Sequence, residues 1–498
     1  MPRHLVRASL LALSLATLPL SHAQEAAPAG AAPLSLDEAI SRAMKQNFDL
    51  QIQSYSTEVA KESLNVAQAA FEPVLNASLG RNLSQAASTI NTLDGTTGVG
   101  QRNDGTSGSV GVTELLPTNG TVGLSTSVNR SATNSRFSTL NPAFNNSVTA
   151  TVSQPLLKNA GNTVAKATVE RSKIGLSIAQ LNYQSSVLTV VLNTETSYNN
   201  LVSARETLHI RQLSLTLAQR LFEENQARRS TGVMTDLDVL TAEVGVNNAR
   251  LAVIQAEQNV RTAEDNLLTL TNGGDYNQRP GPVAFTEFTG AAPAFDASYK
   301  LARENYPDYL AQANAIKQTE IDLSVAKISK RPSLNLNGSL GYSNTDDSYG
   351  DAYGNLPERH GNNWSLGVVY SMPWGMKADN ARYRSTMATL NSQKTRLAQL
   401  DQSLTVQVRT AVRSVQTNLV SVEIAAKATE LSEKQYEAQK ARFDAGLSTS
   451  RLVLQAQDDL ETARFNELAA KVSLRNALAQ LHRLETSSLQ RFNIQLNQ

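Results

Sequence analysis

Between Met376 and Leu484 the chain holds a single glycine, Gly446, and no proline. Beyond that glycine Val453, Ala456, Leu460, Ala463, Glu467, Ala470, Leu474, Ala477, Leu481 and Leu484 alternate steps of three and four. That is the spacing of a helix seam buried along one stripe. Before it, Leu397, Leu400, Leu404, Val408, Ala411, Val415 and Val422 do the same. The segment predicts two long antiparallel helices folded back at Phe443-Asp444-Ala445-Gly446-Leu447. Alanine at many seam positions lets helix backbones approach closely, which suits a wall of packed helices better than a thick globular core.

The 498 residues would suffice for two or three domains, yet 41 % hydrophobic residues with 5 % aromatics is lean for large cores. Cysteine is absent, so disulfides, thiolate metal sites and a cysteine nucleophile are excluded. The 45 basic and 44 acidic residues nearly cancel, and no polyanion or nucleic-acid partner is implied.

Met1 to Ala23 carries Arg3 and Arg7, an apolar run of 13 residues from Ala8 to Leu20, and a small-x-small site at Ser21-His22-Ala23. This pattern predicts a signal peptide, removed to leave 43 basic against 44 acidic residues. The run is too short to span a bilayer, which takes about 20 residues as a helix. Any crossing of a membrane must then be made by strands. Residues 24–33 read as an Ala/Pro/Gly linker.

From Leu34 a helix opens with Ser35 as cap, bends at Asn47 and runs to about Phe71, where Pro73 ends it. Period-two patterning follows near Leu75–Leu79, Val110–Val112, Val122–Val128 and Val148–Val152. Polar loops are expected at Ser84–Thr106 and Ser131–Asn145, with a tight turn at Pro117-Thr118-Asn119-Gly120. Helical spacing returns from Asn159 to Arg229, breaks at Gly232, and resumes from Asp236 to Thr271, stopping at Asn272-Gly273-Gly274.

The second half repeats the first. Asp37, Ala43, Pro73, Leu75 and Asn76 recur 259 positions later as Asp296, Ala302, Pro332, Leu334 and Asn335. Asn200 and Leu201 recur 218 positions later as Asn418 and Leu419, and Gly232, Thr235 and Arg250 recur 214 positions later as Gly446, Thr449 and Arg464. Tandem duplication accounts for this, with about 41 residues more among the strands of the first half. The organisation expected is a first repeat over 34–274 (strands about 73–155, long hairpin 159–271), a connector at 275–293, a second repeat over 294–486 (strands about 332–374, long hairpin 377–484) and a tail at 487–498.

In the stretch from Trp364 to Trp374 the two tryptophans, Leu366, Val368, Tyr370 and Met372 share one face, opposite Ser365, Gly367 and Ser371. Ten residues at about 3.3 Å, tilted about 40°, rise roughly 25 Å, the height of the apolar band of an outer-membrane barrel. Trp364 and Trp374 would then sit in its two interfacial girdles. A soluble sandwich shares such alternation, but this chain offers few strands to build one. Two or three hairpins also cannot close a barrel alone, since about eight strands are needed, so several chains must share one.

The Leu-Ser-Leu-Asp-Glu-Ala opening, the duplicated helix–strand–helix halves, and the tip sequences Ser-Thr-Gly-Val-Met-Thr-Asp-Leu-Asp-Val-Leu and Arg-Phe-Asp-Ala-Gly-Leu-Ser-Thr together resemble the TolC-type outer-membrane efflux protein family. The resemblance implies an all-α fold with β: long antiparallel helical hairpins building a periplasmic α-barrel, and transmembrane β-hairpins shared by a homotrimer. It further implies an exit duct in the outer membrane of a Gram-negative bacterium, serving a tripartite efflux pump or type I secretion system. An inner-membrane transporter would be one partner. A periplasmic adaptor docking at the tips, around Gly232 and Gly446, would be another. Asp238 matches the family's acidic gate position, and the gate candidates are Asp236, Asp238, Arg442, Phe443 and Arg451, with Asp238 pairing Arg442 or Arg451 and Phe443 beside it. Two departures stand out. The first half has room for four strands rather than two, and Ser448, Leu452 and Gln455 occupy positions where the family can carry gate charges.

No catalytic constellation appears. His209 and His482 fall in helical runs and His360 in a polar loop, which suits solvated or packing roles, and Gly100–Ser107 lacks the lysine of a phosphate loop. No metal or cofactor is expected. Two function classes stay open on the residues alone: a passive export duct, and a non-conducting periplasmic coiled-coil scaffold or adaptor.

Overall fold

The computed structural model describes residues 33–87, 89–90, 97–98, 100–135, 137–272, 276, 279–285, 292–356 and 361–495. The expected signal peptide, most of the linker, the Gly273-Gly274 helix stop and His360 lie outside them. The first half comprises α1 (Leu36–Gln46), α2 (Phe48–Ala69), β1 (Val74–Gln85), β2 (Thr89–Ile90), β3 (Thr97–Gly98), β4 (Arg102–Leu115), β5 (Thr121–Thr133), β6 (Ala143–Pro155), α3 (Asn162–Ala165), α4 (Ala167–Ser230) and α5 (Asp236–Thr271). The second comprises α6 (Phe295–Asn305), α7 (Pro307–Ser329), β7 (Ser333–Asp346), α8 (Tyr349–Gly354), β8 (Asn362–Ser371), α9 (Lys377–Asp444), α10 (Ser450–Glu485) and α11 (Ser488–Arg491).

Local chemistry sets these boundaries. The Ser35 hydroxyl accepts from the Glu38 amide at 3.1 Å, and the Asn47 side chain accepts from the Asp49 amide at 2.9 Å, so each helix of the first pair starts on its own cap. At the equivalent junction in the second half Tyr306 is extended, and Pro307 opens α7, where a missing amide costs nothing.

The long helices form one wall. At about 1.5 Å per residue, the 64 residues of α4 and 68 of α9 span roughly 96 and 102 Å. Beside them α2 with α5, and α7 with α10, cover much of the same height as stacked pairs of 22 with 36 and 23 with 36 residues. Packing runs in the order α2/α5, α4, α7/α10, α9. Seam residues foreseen from the sequence are buried, among them Leu404, Val408, Val415, Ala456, Leu460 and Leu484. Around the middle, Tyr198, Leu201 and Leu267 pack with Leu34, while Ile40, Leu50, Val187 and Val191 gather Leu489, Phe492 and Ile494 from the C-terminal segment.

Six strands form one antiparallel sheet in the order β1-β4-β5-β6-β7-β8, with β6 and β7 joining the two halves. The four strands read in the first half therefore all belong to it. One face is a set of hydrogen-bonded hydroxyl and amide pairs across neighbouring strands, Ser78–Ser109, Ser127–Ser147, Ser153–Asn337 and Ser339–Ser365, each at 2.8 Å. The other carries Leu75, Leu79, Leu124, Leu340, Leu366 and Val368, all exposed. A sheet polar on one face and apolar and bare on the other is what a barrel wall needs when water fills the inside and lipid surrounds it.

Several expectations are corrected. The helix foreseen from Asn159 begins only at Asn162, as the single turn α3, because Asn159 at φ 59° and Gly161 at φ 93° cannot continue a right-handed helix; Lys166, at ψ −4°, separates that turn from α4, which starts at Ala167. The strand read as Trp364–Trp374 ends at Ser371; Pro373 has no amide to donate, and Gly375 and Met376 at φ 84° and 47° turn the chain into α9. Trp364 lies on the apolar face and Trp374 in the turn, almost wholly exposed. The loops Ser84–Thr106 and Ser131–Asn145 are shorter than read, since β1, β4, β5 and β6 extend into them through polar residues that give no alternation signal. Thr345–Gly361 holds the helix α8, which packs back on β6 and β7.

Candidate functional site

The distinctive polar assembly is at the two hairpin tips, at the end of the wall away from the sheet. Gly232 and Gly446 stand at φ 75° and 76°, one in each turn. A Cβ at either would meet no atom within 4 Å, so the glycines are required by backbone conformation rather than by space.

The first tip is tied to the second by Arg228. Its guanidinium lies 4.3 Å above the Phe443 ring, donates to the Phe443 carbonyl at 3.0 Å and reaches Asp444 Oδ1 at 3.3 Å. Lys440 extends the contact, with Glu224 at 2.9 Å and Asp444 at 3.3 Å. Beneath it Phe443, wholly buried, packs with Leu221 and Val453. Asn225 donates to the Ser450 hydroxyl at 2.8 Å and to the Asp238 carbonyl at 3.3 Å, while its own Oδ1 is buried without a partner.

The sequence-derived candidates divide on this geometry. Phe443 is the buried core of the tip. The Asp238 carboxylate closes a capping box, accepting from the Thr235 amide at 3.1 Å and the Thr235 hydroxyl at 2.6 Å. Those two bonds favour the charged form and hold its pKa below the usual carboxylate range. Asp236 pairs with Arg229 inside its own tip. Among the described residues no ion pair joins Asp238 to Arg442 or Arg451, and both arginines are exposed. Asn225, Ser450, Lys440 and Glu224, which complete the tip, are not among the residues the sequence singles out. Their signal was available only in pairs: Arg228 and Arg442 lie 214 positions apart, as do Asp236 and Ser450, so comparing the two tips flags where they diverge.

Nothing at the tips resembles a reaction centre: the groups there pair, cap and pack. Among the described residues no helix is long and apolar enough to cross a membrane; the exposed apolar surface suited to lipid is that of the sheet.

Comparison with known proteins agrees with this architecture. The family model described as outer membrane efflux protein matches residues 113–273 and 298–485. The outer membrane protein TolC of Escherichia coli is 21 % identical over 328 residues, 63 % of this chain and 66 % of that relative, just under two thirds of its length. Nodulation protein T of Rhizobium leguminosarum bv. trifolii is 23 % identical over 288 residues, 55 % of this chain and 59 % of the relative. Among solved structures, the CmeC outer membrane channel of Campylobacter jejuni superposes with a TM-score of 0.66 at 17 % identity, covering 93 % of this chain and 90 % of that one. The outer-membrane channel OprN gives 0.68 at 15 %, covering 90 % and 89 %. The duplicated helical wall, the shared sheet and the family match lead to one assignment: this chain belongs to the outer membrane efflux protein family.

Proposed function

We propose that three copies of this chain form an outer-membrane exit duct, which receives cargo from an inner-membrane transporter through a periplasmic adaptor at the hairpin tips. The observation that carries this reading is that both lateral edges of the molecule are unfinished. On one side β1 has no outer neighbour and α2 and α5 expose Ile52, Tyr55, Val59, Leu240 and Ile254; on the other β8 is bare and α9 exposes Val406, Val420, Ile424 and Leu431. A second copy seated against the first would pair β8 with β1 and cover both stripes, and a closed ring leaves no edge. The widths of the two layers also agree. Six strands at about 4.8 Å, tilted about 40°, occupy roughly 38 Å of circumference. Four helix positions at about 10 Å occupy roughly 40 Å. Sheet and wall can therefore continue into one tube, and the hairpin β4–β5, which has no helix beneath it, supplies the width.

Threefold closure gathers the tip charges into rings. Arg442 and Arg451 then stand as the cations available to Asp238 or Asp236 of the neighbouring copy, and such a contact would hold the periplasmic end narrow. The test is single-channel conductance of the full-length protein in planar bilayers. Asp238→Asn keeps the capping oxygen and removes the charge; with Arg451→Ala it forms a double-mutant cycle. The expected result is a wild-type conductance, a larger one in each single variant, and little further gain in the double. Trimers that pass no current would remove the duct and leave a scaffold, whereas identical conductance in all four would remove this gate alone.

A further inference from the structure

We propose that the cleft beneath α8, on the apolar face of the sheet, is a binding site for an acylated lipid bearing phosphate. The inference rests on the apolar face meeting the membrane, as in the reading above. Rather than projecting from the end of β7, α8 lies back across that face. Asn146 donates to the Tyr349 carbonyl at 3.2 Å, Asn344 lies 3.4 Å from the Asp351 and Ala352 carbonyls, and the Tyr353 hydroxyl meets Thr126 Oγ1. Asn146 and Ala352 have no exposed surface, so these contacts seat the helix firmly. Tyr349 packs edge-on to Phe144 at 6.5 Å and beside Tyr353 at 5.9 Å.

Between this aromatic group and the strands is a cavity of about 670 Å³, walled by Leu79, Val110, Val128, Phe144, Tyr349 and Tyr353, with Arg130 also lining it. Its polarity is ordered along the strands. Val110 and Thr126 lie opposite each other toward the helical end, while Arg130 lies opposite Thr106 and Phe144 toward the far end. At about 3.3 Å per residue with a tilt of about 40°, the nine steps from Thr121 to Arg130 rise roughly 23 Å, which places the guanidinium at the outer edge of the apolar band.

Charges of both signs stand there: three guanidiniums beside Asp104, and Asp346 opposite Phe144. Arg81, Arg102 and Arg130 surround one carboxylate, Asp104, which is engaged by Arg81 at 2.8 and 3.1 Å. By register all four side chains are on the apolar face. Acyl chains pointing inward along Val128 and Val110, under a phosphate held by Arg130, match a lipid of the leaflet farther from the helical wall in both shape and direction. In the outer membrane that leaflet is rich in phosphorylated glycolipid.

Native mass spectrometry of the full-length protein in detergent reads this directly. The probes are the bisphosphorylated acylated glycolipid core, its dephosphorylated form, and inorganic phosphate. The expected result is retention of the phosphorylated glycolipid alone, reduced about tenfold by Arg130→Gln through loss of one charge-assisted contact. Val128→Trp, which fills the cleft, should reduce it as far, whereas Leu366→Trp, on the same face outside the cleft, should not. Equal retention in all variants, or equal binding of the dephosphorylated form or of phosphate alone, would overturn the site. Flotation of the same protein with outer-membrane vesicles is measured beside it: protein that floats without selective retention refutes the lipid site only, and protein that does not float refutes the membrane reading.

Discussion

The helices α4 and α9 occupy the same place in the two halves, yet they bury different chemistry. Fourteen residues of α4 are buried, including Thr194, Glu195, Asn199 and Asn225; of the longer α9 only seven are, every one apolar. Position explains the contrast. α4 is flanked on one side by α2 and α5 and on the other by α7 and α10, whereas α9 ends the wall. A duplicated frame kept its seam and its turns, and each side chain was then fitted to the neighbours its copy happened to have. The tips repeat the lesson: 214 positions apart, Arg228 clamps the second tip while Arg442 is exposed, and Phe443 is the buried plug where its counterpart Arg229 makes a surface pair.

The comparison breaks hardest at that plug. Phe443→Ala should cost about 3–5 kcal/mol, the usual loss for a fully buried aromatic. Arg229→Ala, in an exposed pair with Asp236, should cost no more than about 0.5 kcal/mol. Hydrogen exchange over both tips separates them: strong deprotection around 440–453 in the first variant, near wild-type exchange in the second. Similar losses at the two positions would show that the tips are equivalent after all.

Next comes Glu195, whose counterpart 218 positions on is the exposed Arg413. Burial raises the Glu195 carboxyl to about 7, opposed only in part by Arg491, and its Oε1 has no partner. Because the folded pKa exceeds the unfolded value, the folded chain keeps a proton that the unfolded chain has released between about pH 4.5 and 7. Stability from this group is therefore full below that window and lost as pH rises through it. Glu195→Gln should raise stability at pH 8 by up to about 3 kcal/mol and change nothing at pH 4. The opposite limb belongs to His482, pushed down to about 4 by burial and by Arg491, which loses stability as pH falls from about 6.5 toward 4. Unfolding midpoints at fixed protein concentration from pH 4 to 8 should keep the acid limb in Glu195→Gln and lose the neutral one. Arg413→Gln should show both limbs unchanged.

How much of this was legible depends on which signal carried it. The seams, the bends at Asn47 and Gly446 and the span of α5 are written in local spacing, which places them within a few residues. The sheet was legible only where apolar residues alternate. Its outer end, where Arg81 reaches Asp104 and Arg130 lies opposite Phe144, has no such period, so local spacing marks neither the full length of the strands nor α8. At the tips composition points to charged residues but not to their partners. Asp238 bonds Thr235 three residues away, a capping pattern present in the sequence, whereas Arg228 on Phe443 is a contact across 215 positions that no local rule foretells.

Arg228→Ala comes third in size. It removes a guanidinium–ring contact, a bond to a backbone carbonyl and an ion pair from a site about one quarter exposed, together worth about 2 kcal/mol. Among the described residues the exposed Arg442 side chain makes no hydrogen bond or ion pair for Arg442→Ala to remove. Faster exchange at 440–447 in the first and unchanged exchange in the second is expected; an effect of Arg442→Ala equal to that of Arg228→Ala would mean the clamp contributes little within one copy.

The smallest effect is at the connector between the halves. Tyr198 is buried, and its hydroxyl donates to the Leu34 carbonyl at 3.0 Å with the Ala284 carbonyl at 3.2 Å. Two turns further on, Arg205 donates to the carbonyls of Gly281 and Pro280 at 2.5 and 2.8 Å and pairs with Glu264 at 2.7 Å. The two side chains hold residues 280–284 against the middle of α4. Their counterparts on α9 are Gln416 and Glu423. Gln416 makes one exposed bond, to the Pro293 carbonyl at 3.0 Å, and a carboxylate at 423 cannot donate to a carbonyl at all. Tyr198→Phe leaves a buried carbonyl without its donor, at about 1 kcal/mol. That corresponds to roughly a fivefold increase in opening of the strap. Limited proteolysis within 275–293 should therefore accelerate by about that factor in Tyr198→Phe and not measurably in Gln416→Ala. If both variants are cut at the wild-type rate, the strap is held by Arg205 alone, and Arg205→Gln then becomes the substitution that must release it.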